Sequence, residues 1–412
     1  MSKETDSAHP SSDIIGSWGR ELSDKRIILC VAGSVAAYRA IDMARLLMRH
    51  GASVTCVASH AALRLIHKDY LQWATGNEVV TDLTGKMEHI QLADRGRSDA
   101  ILVYPATANT LGKLACGIDD TPISTVLTTA LGAAIPIVLC PAMHQVMYEN
   151  EAVKRNMEFL EEKVTIIPPD MIEGKAKAPE PSHVLDHMMG ILGRNGPLAG
   201  KKVLVTAGPT TEYIDPVRVI TNLSSGKTGV HIARCLVCAG AQVTLIYGPG
   251  SASPPASVTL VRVTTSQEMA DELYRRLEAG PDIVVMAAAV ADYTPKKRSD
   301  KKIKRMDSLP LEKVPKIIGH IKDIREDVLL VGFKAEAGAS AEELIKAARE
   351  QIAETGADLV VANDVGARRY LQDPSSNEVV IVSSDSAVSS GWIPKEAIAR
   401  IIVREIERRI AK

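Results

Sequence analysis

The chain is 412 residues long, whereas a single hydrophobic core stops growing at about 250–300 residues, so two domains are expected. Hydrophobic residues make up 46% of the sequence, charged residues 24%, and the formal net charge is −1. This composition is that of an ordinary globular protein, and it gives no basic surface for nucleic acid. No run of about 18 apolar residues occurs, so neither a membrane span nor a membrane partner is expected.

The first 24 residues are largely polar and lack a secretory signal, so residues 1–24 are expected to be a disordered tail. The six cysteines lie mostly in apolar runs such as IILCV and IPIVLC, which indicates buried thiols and a reducing, cytoplasmic location. The pair in CLVC at 235–238 falls inside a helical apolar pattern. It is expected in the core rather than at a redox or zinc site.

Short apolar runs that end in glycine alternate with helical patterns, which is typical of βαβ units and a parallel sheet. The first half predicts a strand over 26–32, a glycine turn, a helix, and a strand that follows Gly51. Further strands are expected over 100–104 and 135–140.

The second half repeats this order, with KKVLVTAGPT at 201–210 and GVHIARCLVCAGAQVTLIYG at 229–248. Later strands are predicted over 282–288, 328–333 and 358–362. The lysine- and arginine-rich run at 295–306 has no apolar period and predicts an exposed loop, and the C-terminus predicts an amphipathic helix. The boundary is placed at about Gly196, so we expect two Rossmann-like α/β domains, 25–195 and 196–412.

Ligands of open parallel sheets bind at the carboxyl ends of the strands, so the loops that follow the strands are candidate sites. In the first half these loops read AGSVAAY, VASHAA, YPATANTLGKLACG and LCPAMHQVMY. The amides after Gly33 could receive a phosphate or a flavin edge at a helix N-terminus. A tight strand-to-helix turn without a ligand is the alternative.

The stretch TNLSSGKTG at 221–229 ends like a phosphate-binding P-loop. That pattern requires a glycine five residues before Gly226, where Thr221 stands, and no Walker-B setting accompanies it. A P-loop NTPase is therefore not favoured.

Four motifs of the first half, AGSVAAY, EHIQL, PATAN and PAMHQVMY, resemble the flavin-dependent cysteine decarboxylases, specifically phosphopantothenoylcysteine decarboxylase. The resemblance implies a flavodoxin-like domain, often trimeric, with His89 as the essential histidine. Taken alone, His89 would be a surface or half-buried histidine, although imidazole is a natural proton acceptor at neutral pH. The implied FMN-binding residues are Gly33, Ser34, Val35, Ser59, Ala106, Thr107, Asn109 and Ala142.

Two departures from that family concern the substrate. The family loop carries an asparagine for the substrate carboxylate where this chain has His144, which can also donate a hydrogen bond. The flap that usually carries a cysteine for the reductive step reads EGKAKAPEPSHV and has none. Met143 and His144 are the implied substrate-binding residues, and Lys175 or Lys177 of the flap could instead hold the phosphate of the substrate or protonate an intermediate. Either another group supplies the proton, or this half decarboxylates without completing the reduction efficiently.

The second half resembles phosphopantothenate-cysteine ligase through TAGPTTEYIDPVRVITNLSSGKTG, AAAVADY, KIK, VGFKAE and AND. Together the halves resemble the bifunctional decarboxylase-ligases of coenzyme A biosynthesis over about residues 25–410. This implies that CTP activates 4'-phosphopantothenate as an acyl-cytidylate, with Asn222 and Lys302 as catalytic residues. The implied CTP-binding residues are Ser224, Ser225, Gly226, Lys227, Ala287, Ala288, Asp292, Lys302, Pro315, Lys316, Ile317, Ile318 and Phe333.

A triphosphate implies Mg²⁺, which often binds mainly through phosphate oxygens and water, so no metal ligands are named. Trimers of the first domain and dimers of the second would together imply a closed homo-oligomer. The alternative from a different functional class is a ligase whose first half is a flavin-binding regulatory module with an idle site. The missing flap cysteine and His144 motivate it, whereas His89 argues against it.

Overall fold

The computed structural model describes residues 9–305, 307–366 and 373–411, and the chain divides into two compact units, 1–192 and 193–412. Each unit is built on a sheet of mainly parallel strands with helices between them. The predicted fold class, two Rossmann-like α/β domains, is confirmed. Across the described ranges, no helix is both long enough and apolar enough to cross a membrane.

The strands of the first unit are β1 (Arg26–Val31), β2 (Ser53–Ala58), β3 (Ala100–Ala106), β4 (Ile137–Pro141), β5 (Met143–His144), β6 (Thr165–Ile166), β7 (Asp170–Ile172) and β8 (Lys175–Lys177). Its helices are α1 (Arg39–Arg49), α2 (His60–Leu63), α3 (Lys68–Thr75), α4 (Glu88–Ala93), α5 (Ala108–Cys116), α6 (Pro122–Gly132), α7 (Gln145–Tyr148), α8 (Glu151–Glu161) and α9 (Pro181–Leu192). Short 3-10 helices cover Pro10–Ile14 and Val35–Tyr38.

The main sheet of this unit has the order β2-β1-β3-β4-β6, and every pair is parallel. Every residue of β3 is buried, as expected for a central strand with helices on both faces. The strand order reverses between β1 and β3, which is the position where doubly wound sheets open a crevice for ligands.

Residues 9–24 differ from the disordered tail that the sequence predicts. Leu22 is fully buried, and the guanidinium of Arg49 lies 4.3 Å from the ring centroid of Trp18. His50 Nδ1 is 2.9 Å from a carboxylate oxygen of Glu21. Anchoring by Leu22 and Trp18 explains the difference, because a few apolar residues can hold a polar segment on a domain. Residues 1–8 of the predicted tail lie outside the described residues.

The strands of the second unit are β9 (Lys202–Ala207), β10 (Thr211–Tyr213), β11 (Val219–Thr221), β12 (Gln242–Tyr247), β13 (Thr259–Arg262), β14 (Ile283–Met286), β15 (Tyr293–Pro295), β16 (Leu311–Lys313), β17 (Leu329–Glu336), β18 (Leu359–Asp364), β19 (Ser376–Asn377), β20 (Val380–Val382), β21 (Ala387–Ser389) and β22 (Ile393–Pro394). Its helices are α10 (Lys227–Cys238), α11 (Ser266–Leu277), α12 (Ile321–Ile324), α13 (Ala341–Thr355) and α14 (Lys395–Ile410), with a 3-10 helix over Ile317–His320.

The sheet of the second unit has eight strands in the order β13-β12-β9-β14-β17-β18-β20-β21. The first six are parallel, and β20 and β21 are antiparallel. Helix α10 packs closely on β9. A Cβ on Gly229 would come within 2.4 Å of Cβ of Ala207, which leaves no room for a side chain there. The second unit begins at Gly193, three residues before the predicted boundary at Gly196.

Four small sheets among the described residues were not predicted from the sequence. The antiparallel pairs β10–β11, β15–β16 and β19–β22 lie in the second unit, and β5, β8 and β7 form a three-stranded sheet in the first. Their strands have two or three residues each, too few to produce a recognisable alternation of apolar and polar residues. These small sheets carry several of the candidate site residues.

Candidate active sites

The four loops selected from the first half lie at the carboxyl ends of β1 to β4, on one edge of the sheet. Ser34, Ser59 and Thr107 each cap a helix, and their hydroxyls accept backbone hydrogen bonds of 3.4, 3.1 and 3.3 Å. First-turn N–H groups lack partners within the helix, so helix N-termini favour negatively charged groups. The edge is therefore suited to the phosphate of a ligand.

Backbone hydrogen bonds join these loops into one site. The amide of Ala142 donates to the carbonyl of Ala106 at 2.9 Å, and the hydroxyl of Ser34 reaches the carbonyl of Ala142 at 3.4 Å. Asn109 is exposed in the first turn of α5, and Val35 is 82% exposed. The site therefore combines polar groups with an uncovered apolar side chain, which suits a flat aromatic ligand with a polar tail.

Gly33 is required by a close approach between two segments of this site. A Cβ at Gly33 would lie 2.4 Å from Cβ of Ala61 in α2, far inside van der Waals contact. Any side chain at Gly33 would therefore displace the loop after β1 or the helix after β2.

His89 lies in α4, which packs against α6. Its Nδ1 atom is buried and has no hydrogen-bond partner in the described protein. Buried polar atoms are normally satisfied, so an orphaned imidazole nitrogen indicates a site that a ligand or water completes. Met87, which immediately precedes α4, has a φ of 54°. Such a value is uncommon outside glycine and is often found at functional sites.

The predicted substrate residues meet in the three-stranded sheet. Met143 is directly opposite Ala176, and His144 is directly opposite Lys175. Side chains directly opposite on antiparallel strands share a face, and alternate residues point the same way. His144, Lys175 and Lys177 therefore share one face of the flap, where Lys177 Nζ also lies 2.9 Å from a carboxylate oxygen of Glu173.

Two side chains outside the predicted set anchor the end of this flap. Arg39 donates to the carbonyl of Ala178 at 3.0 Å, and the Tyr104 hydroxyl donates to the carbonyl of Pro179 at 2.8 Å. The residues of the first pair are 139 positions apart in the sequence and those of the second pair are 75 apart, so only folding brings them together. Sequence reasoning had no signal for them.

Cys140, near the end of β4, is poorly suited to replace the missing flap cysteine. Its side chain is fully buried, and burial raises the pKa of its thiol. Such a thiol is a weaker acid than an exposed cysteine. The flap itself offers lysines at 175 and 177, and both are cationic donors at neutral pH.

In the second unit, Asn222 contacts the segment predicted to bind the nucleotide. Its side-chain amide donates to the carbonyls of Ala289 at 3.1 Å and Val290 at 3.0 Å. An amide nitrogen has two hydrogens, so both are used, and the carbonyl oxygen of the side chain is left as an acceptor. The Asn222 side chain therefore presents an acceptor, and no free donor, to a ligand.

The segment Ser224–Lys227 forms the turn into α10. Gly226 has φ of 78°, and a Cβ there would lie 2.8 Å from the ring of Tyr247, so glycine is required. The hydroxyls of Ser224 and Ser225 accept from the amides of Gly226 and Lys227 at 3.3 and 3.4 Å. The turn resembles a phosphate loop only at its helix end, which explains the partial P-loop pattern.

Lys302 lies in the loop between β15 and β16 and is exposed. The next residue, Ile303, donates its amide to Asp215 Oδ2 at 3.1 Å and accepts at its carbonyl from Arg218 at 2.6 Å. Asp215 and Arg218 lie in the turn between β10 and β11 and were not predicted as site residues. An Asp-Pro pair typical of a turn was the available signal.

The remaining predicted nucleotide contacts gather around β14 and β17. These strands pair with Val285 opposite Val331; Ala287 directly follows β14, and Phe333 lies within β17. The amide of Val314, next to Pro315, donates to the carbonyl of Asp292 at 2.9 Å. The other members of this set are Ala288, which donates to the Thr206 hydroxyl at 3.3 Å, Lys316, which pairs with Glu354, and Ile317 and Ile318, which begin a 3-10 helix.

The fold, with candidate sites in both units, is that of a two-domain α/β protein built from two Rossmann-like units. Residues 15–193 match the Flavoprotein family, and residues 198–410 match the DNA/pantothenate metabolism flavoprotein C-terminal domain family. The protein named Coenzyme A biosynthesis bifunctional protein CoaBC from Thermococcus kodakarensis is 46% identical over 95% of this chain and 97% of its own. The protein of that name from Methanocaldococcus jannaschii is 34% identical over 98% of each chain.

A solved structure titled as the C-terminal domain of Coenzyme A biosynthesis bifunctional protein CoaBC is 34% identical, with a TM-score of 0.45, and covers 53% of this chain and 99% of its own. The sequence relationships show that the chain belongs to the CoaBC family of bifunctional coenzyme A biosynthesis proteins. It is a flavin-dependent phosphopantothenoylcysteine decarboxylase joined to a phosphopantothenate-cysteine ligase, and it acts on pantothenate-derived substrates. The predicted pair of activities is thereby confirmed.

Proposed function

We propose that the flavin of the first unit is FMN, held at the carboxyl ends of β1 to β4. The capped helix ends at Ser34, Ser59 and Thr107 suit a terminal phosphate, and the apolar, 82% exposed Val35 suits a ring system. Gly33 supports the proposal, because a larger residue could not sit against α2. The other proposed contacts are Ala106, Asn109 and Ala142.

In this proposal the bound flavin supplies reversible two-electron chemistry at the substrate's thiol-bearing carbon. His89 accepts the proton released there, since Nδ1 of its imidazole has no competing partner within the described protein. His144, with Met143 beside it, holds the leaving carboxylate. Lys175 and Lys177 share the face of His144 and provide cationic donors for the phosphate or for the returning proton.

We further propose that the second unit uses CTP. A carboxylate oxygen of 4'-phosphopantothenate attacks the α-phosphorus of CTP and releases pyrophosphate, and the cysteine amine then attacks the acyl carbon and displaces CMP. The hydrogen bonds from Asn222 to Ala289 and Val290 carry this proposal, because they join two motifs 67 residues apart into one site. Lys302 faces the developing phosphoryl charge. The proposed nucleotide wall is Ser224, Ser225, Gly226, Lys227, Ala287, Ala288, Asp292, Pro315, Lys316, Ile317, Ile318 and Phe333.

Mg²⁺ is proposed to enter with the triphosphate. Within residues 9–305, 307–366 and 373–411, no group of three or more histidine, cysteine, aspartate or glutamate side chains could hold a metal ion. Mg²⁺ commonly retains waters and binds through substrate phosphates, which agrees with this finding.

The test uses the full chain with CTP, Mg²⁺, cysteine and 4'-phosphopantothenate. We expect CMP, CO2 and 4'-phosphopantetheine by mass spectrometry, and ATP in place of CTP should give at least about tenfold less product. Equal rates with ATP would contradict the nucleotide assignment. Accumulation of 4'-phosphopantothenoylcysteine alone would support the alternative, an idle first unit, and extraction of FAD rather than FMN would contradict the cofactor assignment.

For assembly we propose trimers of the first unit joined by dimers of the second, in the cytoplasm. The six cysteines are thiols, which agrees with a reducing compartment. Analytical ultracentrifugation of the full chain should give a closed oligomer whose subunit number is a multiple of six. A stable monomer would contradict this assembly.

A further inference from the structure

Asp215 is a carboxylate with five hydrogen-bond donors around it and no exposed surface. Its Oδ1 accepts from the amides of Val217 and Arg218, both at 2.9 Å. Its Oδ2 accepts from Arg218 Nε at 3.0 Å, from Arg218 Nη2 at 2.6 Å and from the amide of Ile303 at 3.1 Å. Four of these contacts are local to one turn, whereas the contact to Ile303 spans 88 residues of sequence.

The loop that contains Ile303 needs such an anchor. Residues 296–305 carry seven lysines and arginines and one aspartate, so like charges repel along the whole segment. The described part of this loop contains no helix or strand. A single conformation therefore depends on contacts with other segments.

The hairpin formed by β10 and β11 contacts this loop at residues 298, 299 and 303. Arg218 donates to the carbonyl of Ile303 at 2.6 Å, so Asp215 and Arg218 together hold the amide and the carbonyl of residue 303, which belong to the two peptide units that flank it. The amide of Ser299 donates to the carbonyl of Ile214 at 3.0 Å, and the Arg298 guanidinium lies 4.9 Å from the ring centroid of Tyr213.

The same hairpin leads directly to the other proposed catalytic residue. Strand β11 ends at Thr221, and Asn222 follows it, held to the carbonyls of Ala289 and Val290. One hairpin thus contacts the backbone beside Lys302 at its turn and positions Asn222 at its end.

We propose that Asp215 is a positioning residue for the ligase reaction, which fixes the Lys302 loop relative to Asn222 through the backbone of Ile303. This rests on the proposed role of Lys302. Asp215 touches neither nucleotide nor substrate in this proposal. Its carboxylate orients Arg218 and Ile303, and the loop brings the Lys302 ammonium to the triphosphate.

The experiment compares Asp215→Asn with the wild-type full chain. Asparagine keeps one acceptor oxygen but replaces the other with an amide that cannot accept from Ile303 or Arg218. We expect the maximal rate of CMP formation to fall at least about tenfold, with less than about a twofold change in KM for 4'-phosphopantothenate. Tryptic cleavage within residues 296–305, mapped by mass spectrometry, should accelerate at least about tenfold.

Ile303→Pro is the second variant, because it removes the donor from the loop side and leaves Asp215 intact. It should reproduce both the slower CMP formation and the faster tryptic cleavage of the loop, and it provides the test if Asp215→Asn does not fold. Asp282→Asn is the matched control, since Asp282 also accepts from a backbone amide, of Lys202 at 2.8 Å, and from Lys201. This control should leave loop cleavage and CMP formation near wild type.

Slower CMP formation with unchanged tryptic cleavage of the loop would overturn the proposal. Faster cleavage with an unchanged rate of CMP formation would also overturn it. Lys302→Gln distinguishes the underlying function: a wild-type rate in this variant would remove Lys302 from the mechanism. CO2 release from supplied 4'-phosphopantothenoylcysteine should be unchanged in every variant, because that reaction belongs to the first unit.

Discussion

His144 and Lys175 are directly opposite one another on the antiparallel strands β5 and β8. The two departures of this chain from its decarboxylase relatives, a histidine in the substrate loop and a flap without cysteine, are therefore neighbours in space. A histidine beside a lysine presents donors from two separate side chains to the same substrate, and the lysine adds a positive charge that an asparagine lacks.

We predict that His144 and Lys175 act together on the substrate. His144→Ala and Lys175→Ala should each raise KM for 4'-phosphopantothenoylcysteine about tenfold, the effect of one charged hydrogen bond. In the double variant, KM should rise by less than the product of the two single increases, because the two residues bind one ligand. Steady-state CO2 release measures all three. Lys154→Ala, an exposed lysine of α8, is the control, and fully multiplicative effects would contradict the shared site.

Gly33→Ala should weaken flavin binding and destabilise the first unit. Its Cβ would lie 2.4 Å from Cβ of Ala61, and overpacking of this kind costs about 1–3 kcal/mol. The flavin absorbance relative to protein absorbance and the midpoint of thermal unfolding should both fall. Gly132→Ala is the matched control, since a Cβ at Gly132 meets nothing within 4 Å. Retention of wild-type flavin content by Gly33→Ala would contradict the site.

Asn222→Asp should abolish CMP formation. A carboxylate cannot donate to the carbonyls of Ala289 and Val290, and its charge repels both oxygens. The segment that follows β14 should therefore exchange its amide hydrogens faster, which hydrogen–deuterium exchange measures. Thr228→Ser, a conservative change in the first turn of α10, should retain CMP formation. Turnover near the wild-type value in Asn222→Asp would exclude Asn222 from catalysis.

His231 should make the second unit less stable at acid pH. Burial, with the nearby cations Arg234 and Lys227 as lesser causes, lowers the pKa of His231 to about 4 in the folded state. The unfolded chain, with a pKa near about 6.5, takes up a proton first, so stability is complete above that pH and is lost as the pH falls towards 4. The loss at pH 5 is about 2 kcal/mol.

Urea unfolding at pH 7 and pH 5 tests this prediction. His231→Asn should show a smaller loss of unfolding free energy between the two pH values than the wild type. The exposed His320, replaced by asparagine, should leave the wild-type difference unchanged. An identical pH dependence in all three proteins would rule out His231 as its source.

The sequence predicted most of the parallel strands, because an apolar run marks each of those, whereas the short strands β6 and β13 were not predicted. Ser34, Ser59 and Thr107 could be placed in this way, since the carboxyl ends of neighbouring parallel strands meet at one edge. The roles assigned to these three residues stay predictions.

Other parts of the sites were beyond sequence reasoning for a physical reason. Arg39 and Tyr104 act on the carbonyls of Ala178 and Pro179, and any residue could supply those carbonyls. The contact between Asp215 and Ile303 likewise uses a backbone amide. Leu22 illustrates another limit of sequence reasoning. A single buried leucine in a polar segment produces no periodic pattern. Its side chain nevertheless helps to hold residues 9–24 on the domain.

The segment that opens the second unit determines where this polypeptide can be divided into two genes. A Cβ on Gly193 would lie 2.4 Å from the carbonyl oxygen of Cys238, and the buried Leu198 donates its amide to the carbonyl of Ala239 at 2.8 Å. This stretch therefore covers the end of α10 rather than serving as a spacer. A split enzyme should keep Gly193 with the ligase gene, and a split at Gly196 would leave the last turn of that helix partly uncovered.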